Sequence, residues 1–275
     1  MLNQITPLIL TYNEAANIGR TLARLAWARE VVVVDSFSDD ETIEVASSFA
    51  NVRVVQRAFD SHRNQWEFGL RETGITTAWI LALDADYVLT RDAVAELKTL
   101  NPIAETAAFR ATFVYCINGK ELHSGIYPPV TVLYRRDAAS YIQDGHAQRV
   151  VVDGRVEHLR APLLHDDRKP LRRWLNSQAR YAELEAAKLL TTGREALDFT
   201  DRLRLCFVVV PAAMFFYCLI VRGGIFDGWR GFYYAFQRSL AELMLSLYLI
   251  DARCTFSEST RITAMLRRQS SKTAD

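Results

Sequence analysis

The sequence predicts an α/β fold: a mostly parallel sheet flanked by helices, followed by a helical C-terminal segment. Three observations predict it. Short apolar runs at residues 5–10, 31–34, 52–56 and 79–83 alternate with segments of helical periodicity. The second and fourth runs are apolar throughout rather than on every other residue, as in strands covered on both faces. Three of the four runs end in polar clusters, at residues 11–14, 35–40 and 84–86. In an open α/β sheet the ligand sits beyond the carboxyl ends of the strands, so these clusters are expected to converge in one cleft.

Taken in order, residues 5–10 form a strand and residues 18–28 a helix with Asn17 as its N-cap. Residues 31–34 are β-branched and end at Asp35. Residues 39–49 follow as a helix with acidic residues in its first turn, where the helix dipole favours them. Residues 52–56 read as a third strand, 61–73 as a third helix, and 79–83 as a fourth strand running into Asp84-Ala85-Asp86. From about residue 107 to 152 the pattern changes to short strand-like pieces broken by Gly119, Pro128-Pro129 and Gly145, a second half of the same domain. The organisation expected is one α/β domain over residues 1–195, its first half ending near 100, and a helical region over 196–275.

Composition narrows the function. A chain of 275 residues that is 50% hydrophobic is long enough to bury a large core. A net charge of +1 gives no reason to expect nucleic acid as a partner. Cys116, Cys206, Cys218 and Cys254 are far apart and lack CxxC spacing, which argues against a zinc site and a disulfide framework. The first ten residues enter a strand without a basic start and long apolar run, so a cytoplasmic catalytic portion is expected.

The C-terminal region reads as membrane-associated. Residues 203–221 approach the roughly 20 apolar residues a spanning helix needs, but they include Arg204 and Pro211, which points to a shallow hairpin rather than a full span. In residues 229–250, Phe232, Tyr233, Phe236, Leu240, Leu243 and Leu247 lie near one helical face. Arg168, Lys169, Arg172, Arg173 and Arg180 before this region and Arg267, Arg268 and Lys272 after it suit an anionic inner membrane surface. The alternative is a helix pair packed on the sheet or on a second copy in a homo-oligomer.

Neither GxGxxG nor GxxxxGK[ST] occurs in the strand-end clusters, so diphosphate is not held by a glycine-rich loop. The Asp84/Asp86 pair suggests a divalent cation instead, since hard cations choose carboxylate oxygen. The segments Pro7-Leu8-Ile9-Leu10-Thr11-Tyr12-Asn13-Glu14, Val33-Val34-Asp35-Ser36-Phe37-Ser38-Asp39-Asp40-Glu41-Thr42 and Leu83-Asp84-Ala85-Asp86 resemble, in order and spacing, the family 2 glycosyltransferases of the GT-A fold. Phe59-Asp60-Ser61, Gln65-Trp66, Phe68-Gly69-Leu70 and the late Gly223-Gly224-Ile225-Phe226-Asp227-Gly228 resemble the lipopolysaccharide-core β-glucosyltransferase branch.

That resemblance implies an inverting transferase using Mg²⁺ or Mn²⁺ and a nucleotide-sugar donor such as UDP-glucose. It implies that Leu10, Thr11, Tyr12 and Glu14 line the nucleotide pocket, that Asp35 accepts a hydrogen bond from the base, and that Asp84 and Ala85 lie on the ribose side. Asp86 binds the metal directly, Asp84 contacts the ribose or a metal-bound water, and His165 approaches the metal or diphosphate. Each has a plainer reading: a turn carboxylate for Asp35, an exposed strand-end turn for Asp84 and Asp86, a structural histidine for His165. Arg63 and Gln65 are donor contacts or a solvated helix face. Asp144 is the candidate base that takes the acceptor proton.

Two departures stand out. Ala147 follows His146 where relatives commonly carry glutamate, and Glu67 stands where many show asparagine. The expected acceptor is a lipid-linked glycan at the cytoplasmic face of the bacterial inner membrane. The alternatives are a polyprenyl phosphate acceptor and a catalytically silent sugar-nucleotide-binding scaffold.

Overall fold

A computed structural model describes the backbone of residues 1–144, 147–193, 195–207 and 209–272, and their side chains except at 143, 144, 147, 148 and 255–272. The first half runs β1 (Ile5–Thr11), α1 (Ile18–Ala23), β2 (Val31–Asp35), α2 (Thr42–Ser47), β3 (Val52–Gln56), α3 (His62–Arg71), β4 (Trp79–Asp84), β5 (Tyr87–Leu89) and α4 (Arg91–Thr99). The second half adds β6 (Thr106–Ala111), β7 (Phe113–Ile117), β8 (Lys120–Glu121), β9 (Val130–Arg135), β10 (Ala139–Asp144), β11 (Ala147–Val152), β12 (Arg155–His158) and β13 (Leu163–His165). Four helices close the chain: α5 (Leu171–Thr191), α6 (Phe199–Arg204), α7 (Val209–Phe216) and α8 (Trp229–Lys272).

The main sheet has seven strands in the order β12-β6-β9-β4-β1-β2-β3. β3, β2, β1 and β4 are mutually parallel, and β9 alone is reversed against its neighbours β4 and β6. Alternation along the buried strands sorts their side chains into two layers. Ile5, Ile9, Val31, Val33, Trp79, Leu81 and Leu83 join one core with Ile18, Leu22 and Leu97 of the helices, while Leu8, Val32, Val34, Ile80 and Ala82 join a second core with Trp66 and Leu70 of α3. α3 lies close to the sheet because Gly69 has no side chain; a Cβ there would stand 3.0 Å from Leu8. A smaller sheet, β5-β13-β7-β8, and the β10–β11 hairpin flank the main one.

Two helices are shorter than their periodicity predicts. α1 stops at Ala23, and tight turns from Leu22 to Leu25 and from Leu25 to Ala28 carry Leu25 and Ala28 into the core, so burial continued where the helix did not. α2 starts at Thr42, because the Asp40 carboxylate accepts the Thr42 N–H at 3.0 Å and holds the preceding loop open. Asn17 precedes α1 without capping it; its amide is used elsewhere.

Residues 203–221 are not one helix. α6 ends at Arg204, α7 holds Pro211 in its first turn, where the missing N–H costs nothing, and a wider helical turn follows over Tyr217–Val221. Among the described residues no helix is long and apolar enough to cross a membrane. Arg204 faces inward, 3.1 Å from Glu242, 3.5 Å from Glu185 and 3.6 Å from Asp201, tying α5, α6 and α8 together. α5 packs on α8 through Ala182, Ala186, Leu189, Leu245 and Leu249. All four cysteines are free.

Candidate active site

Parallel register brings the three polar clusters together, for Thr11 pairs with Asp35 and Leu10 with Asp84 across adjacent strands. The loops beyond β1 and β2 are laced by hydrogen bonds: Asn13 N–H to Ser38 Oγ at 2.7 Å, Glu14 N–H to Thr42 Oγ1 at 2.6 Å, and Asp39 N–H to Asn13 Oδ1 at 2.9 Å. Asn13 and Phe37 have φ of 57° and 60°, the left-handed region that non-glycine residues seldom occupy. Asp35 is fully buried. It accepts from Thr11 Oγ1 at 2.9 Å, Ser38 N–H at 2.8 Å and Ser38 Oγ at 2.5 Å. Its carboxylate thus fixes the turn, leaving only its remaining lone pairs for a ligand.

At the end of β4, Asp84 is partly open to the cleft and Asp86 is buried, while Thr21 Oγ1 holds the carbonyl of the buried Ala85 at 2.7 Å. Burial and then the neighbouring Asp86 charge push the Asp84 carboxyl up to about 6. Burial works against the charge of Asp86 too, but His165 and Lys169 overcome it and hold that carboxyl below its ordinary value. His165 Nε2 lies 3.2 Å from Asp86 Oδ2. Burial opposes the imidazolium, yet Asp86 outweighs it and raises the histidine above its ordinary value. The rings of Tyr87, Tyr115 and Tyr127 surround His165 with centroids 5.5, 4.8 and 4.4 Å away, and its Nδ1 is buried without a hydrogen-bond partner.

Beyond β13 the chain crosses the mouth of the cleft as a strap. Asp166 N–H donates to the Asp86 carbonyl at 3.0 Å, and Arg20 binds the Asp166 carboxylate at 3.3 Å. Asn17 donates to Asp167 and accepts from Arg168 N–H, both at 2.9 Å. Lys169 pairs with Glu14 at 2.8 Å. Arg173 donates to the carbonyls of Tyr12 and Asn13, its guanidinium 5.9 Å from the Tyr12 ring centroid. Lys169 and Arg173, expected from the sequence to face a lipid surface, are therefore turned into the site, because Glu14 and the β1 loop offer them partners; Arg168 pairs with Asp166 at 2.8 Å but remains exposed, as do Arg172 and Arg180.

Gln65 is buried and braces the cleft wall rather than lining it. Its amide donates to Ser36 Oγ at 3.0 Å and to the Arg57 carbonyl at 3.2 Å, and accepts from Arg57 at 2.6 Å. Arg63 is on the exposed face of α3. Glu67 accepts the Tyr141 N–H at 2.7 Å and, with Trp66 stacked on Tyr141 at 5.4 Å, anchors the β10–β11 hairpin to α3. Asp144 ends β10 opposite Ala147; its side chain lies outside the described residues, as does His146.

The residues present fit a divalent cation on the carboxylate side. Among the described residues no three His, Cys, Asp or Glu side chains form a complete cage. A cation of the Mg²⁺ or Mn²⁺ kind is held by one or two carboxylates plus substrate phosphates, so the Asp84/Asp86 pair supplies a sufficient share. Sequence reasoning missed Asn17, Asp166, Asp167 and the inward role of Lys169 and Arg173. The available signal was a run of both signs, Asp166-Asp167-Arg168-Lys169, directly after a strand.

Comparison with known proteins agrees with this geometry. The family model described as Glycosyl transferase family 2 matches residues 8–139. A Rickettsia bellii protein named an uncharacterized glycosyltransferase is 36% identical over 96 residues, 34% of this chain and 32% of that protein. A Rickettsia felis protein of the same name is 32% identical over 98 residues, 35% of this chain and 34% of its own. The matched stretch thus spans about a third of the length of these curated relatives. Among solved structures, Staphylococcus aureus TarS 1–349 aligns over 91% of both chains at 13% identity and a TM-score of 0.45. Mycobacterium tuberculosis glucosyl-3-phosphoglycerate synthase aligns over 66% of this chain and 77% of its own at 15% identity and a TM-score of 0.44. Residues 8–139, which carry Thr11, Asp35, Asp84 and Asp86, match the Glycosyl transferase family 2 model, and the α/β architecture around them is a central sheet flanked by helices, like that of the GT-A fold.

Proposed function

We propose that this protein is an inverting, divalent-metal-dependent glycosyltransferase that moves a hexose, glucose from UDP-glucose in the first instance, onto a lipid-linked glycan such as a lipopolysaccharide core. The observation that carries this reading is the meeting of Thr11, Asp35, Asp84 and Asp86 at the ends of three parallel strands, within the segment that matches the family. The roles follow from position. Tyr12 and Phe37, both exposed at the cleft, offer faces for a base; Asp84 and Asp86 would hold Mg²⁺ or Mn²⁺. Bound there, the cation would supply charge neutralisation for the departing nucleoside diphosphate. The strap excludes water from above, with Lys169 fixed on Glu14 and Arg173 on the β1 loop.

Asp144 at the tip of β10 is assigned the acceptor proton, and Glu67 and Trp66 position that hairpin from α3. Asp144→Asn keeps the shape and loses the base, so kcat is expected to fall by about a hundredfold with donor Kd unchanged, read by single-turnover transfer. Lys169→Met removes the charged tie of the strap. Donor Kd is expected to rise about tenfold, consistent with roughly 1.5 kcal/mol for a charge-assisted bond, with a smaller change in kcat.

The deciding experiment titrates UDP, GDP and dTDP with and without Mn²⁺ or Mg²⁺ and then offers the matching sugar nucleotide with a lipid-linked glycan or a polyprenyl phosphate. Metal-dependent binding of one nucleotide and transfer to the glycan support the reading. Transfer to polyprenyl phosphate alone changes the acceptor assigned, and binding of none of the three nucleotides overturns the enzyme in favour of a scaffold.

A further inference from the structure

The α7–α8 hairpin carries an apolar surface that no described residue covers. Its tip is built by the glycine-rich turn after α7: Gly223 and Gly228 have φ of 75° and 61°, and a Cβ on Gly231 would strike the Gly224 carbonyl oxygen at 1.9 Å. Asp227 secures the tip by accepting from the N–H groups of His123 and Ser124 at 3.0 Å each and from Ser124 Oγ at 2.8 Å. This rigid turn holds Ile220, Val221 and Phe226 outward at 64%, 72% and 85% exposure. Trp229, Phe232, Phe236, Leu240, Leu243, Leu247 and Ile250 continue it along α8 at intervals of three and four residues, the spacing of one helical face, and all are exposed.

Charge identifies the occupant. Between Val209 and Ile250 the only carboxylates are Asp227 and Glu242, and both are withdrawn, with side chains 3% and 5% exposed. The basic groups of this stretch are Arg222, Arg230 and Arg238. Arg222 is exposed at the turn, and the Arg230 guanidinium stands 4.7 Å over the Trp229 ring. A face that is apolar along its length, with Arg222 and Arg230 at its tip, the Asp227 and Glu242 carboxylates withdrawn and the exposed Asp251 at its far end, complements an anionic lipid surface at the tip. A second copy laid tip to tip on the same face would set Arg222 and Arg230 against their like, with Asp227 withdrawn from both.

We infer that the hairpin tip, Ile220 to Trp229, and the apolar face of α8 lie in the interfacial layer of an anionic membrane, with Arg222 and Arg230 at headgroup depth. The hairpin does not span; it enters one leaflet. The inward side of the same helix reaches the candidate site, since the buried Tyr234 of α8 packs on Tyr115 at 4.7 Å, and Tyr115 packs in turn on His165. This placement goes beyond the reaction proposed above and stands independently of it.

The test is flotation of the full chain with vesicles of phosphatidylcholine and phosphatidylglycerol in equal parts, and with phosphatidylcholine alone. The wild type is expected to float with the mixed vesicles and more weakly with the neutral ones. The double variant Val221→Ser, Phe226→Ser is expected to bind at least about tenfold more weakly with an unchanged thermal unfolding midpoint, because both side chains are exposed in the fold. Arg222→Gln with Arg230→Gln is expected to remove the preference for the mixed vesicles. Absence of flotation, binding that the double variant leaves intact, or a dimer that the double variant dissociates without any vesicle binding would overturn the inference. Failure of the nucleotide titration leaves this result untouched, so the two readings fall separately.

Discussion

Asp86→Ala is expected to abolish metal-dependent nucleotide binding and to lower transfer by about a thousandfold or more, equivalent to roughly 4 kcal/mol of transition-state stabilisation. Asp86 is the partner of His165 at 3.2 Å, the charge that acts most strongly on Asp84, and the residue whose carbonyl receives the first N–H of the strap. The backbone contact survives the substitution, so the fold and the strap should persist, and loss of function then reports the carboxylate itself. Isothermal titration with Mn²⁺ and UDP, beside single-turnover transfer, separates metal binding from chemistry. Retained metal-dependent binding in the variant would move the cation away from this pair.

The same titration repeated from pH 5 to pH 7.5 tests the charge state of the site. Asp84 takes a proton as pH falls through about 6, and a neutral carboxyl does not hold a hard cation. His165, raised above its ordinary value by Asp86, also gains its proton on the way down and adds positive charge beside the cation. Both effects have one sign: metal affinity is expected to be highest at neutral pH and above and to fall across the acid side, with protons released on binding.

How much of this was legible in the sequence depended on how local each determinant is. Strands β1, β2 and β4 were legible because they are buried on both faces, and continuous apolar runs such as Val31 to Val34 have few other uses; β3, a half-buried edge strand, was legible from its place in the alternation. Asp35, Asp84 and Asp86 were legible because parallel strands place their C-terminal ends at one edge. The strap was not. Asn17 and Asp167 are 150 residues apart, and Asp166-Asp167-Arg168-Lys169 has the composition of a solvated turn until Glu14 and Arg20 are seen beneath it. Glu67, read as a departure, turned out to hold the Tyr141 backbone, a contact that exists only once β10 has folded against α3. The exposed stripe of α8 was legible as periodicity, but the break of residues 203–221 into α6, α7 and a turn depended on Arg204 finding buried carboxylates on two other helices.

That arginine carries the other large expected effect. Glu242→Ala should destabilise the protein by about 3 kcal/mol or more, whereas Arg204→Met with Glu242→Leu should be close to neutral. Glu242 is buried and receives Arg204 at 3.1 and 3.2 Å through two guanidinium nitrogens, and Glu185 and Asp201 stand near the same group. Removing Glu242 alone leaves a three-quarters-buried guanidinium short of its closest partner. Exchanging both for apolar side chains removes two desolvation costs together, and Lys188 still stands 3.7 Å from Glu185 and 3.9 Å from Asp201. Thermal and urea unfolding of the three chains, read as midpoint shifts at constant m, decide the case. If Glu242→Ala unfolds like the wild type, the cluster is solvated and the helices of the C-terminal region are held by their apolar contacts alone.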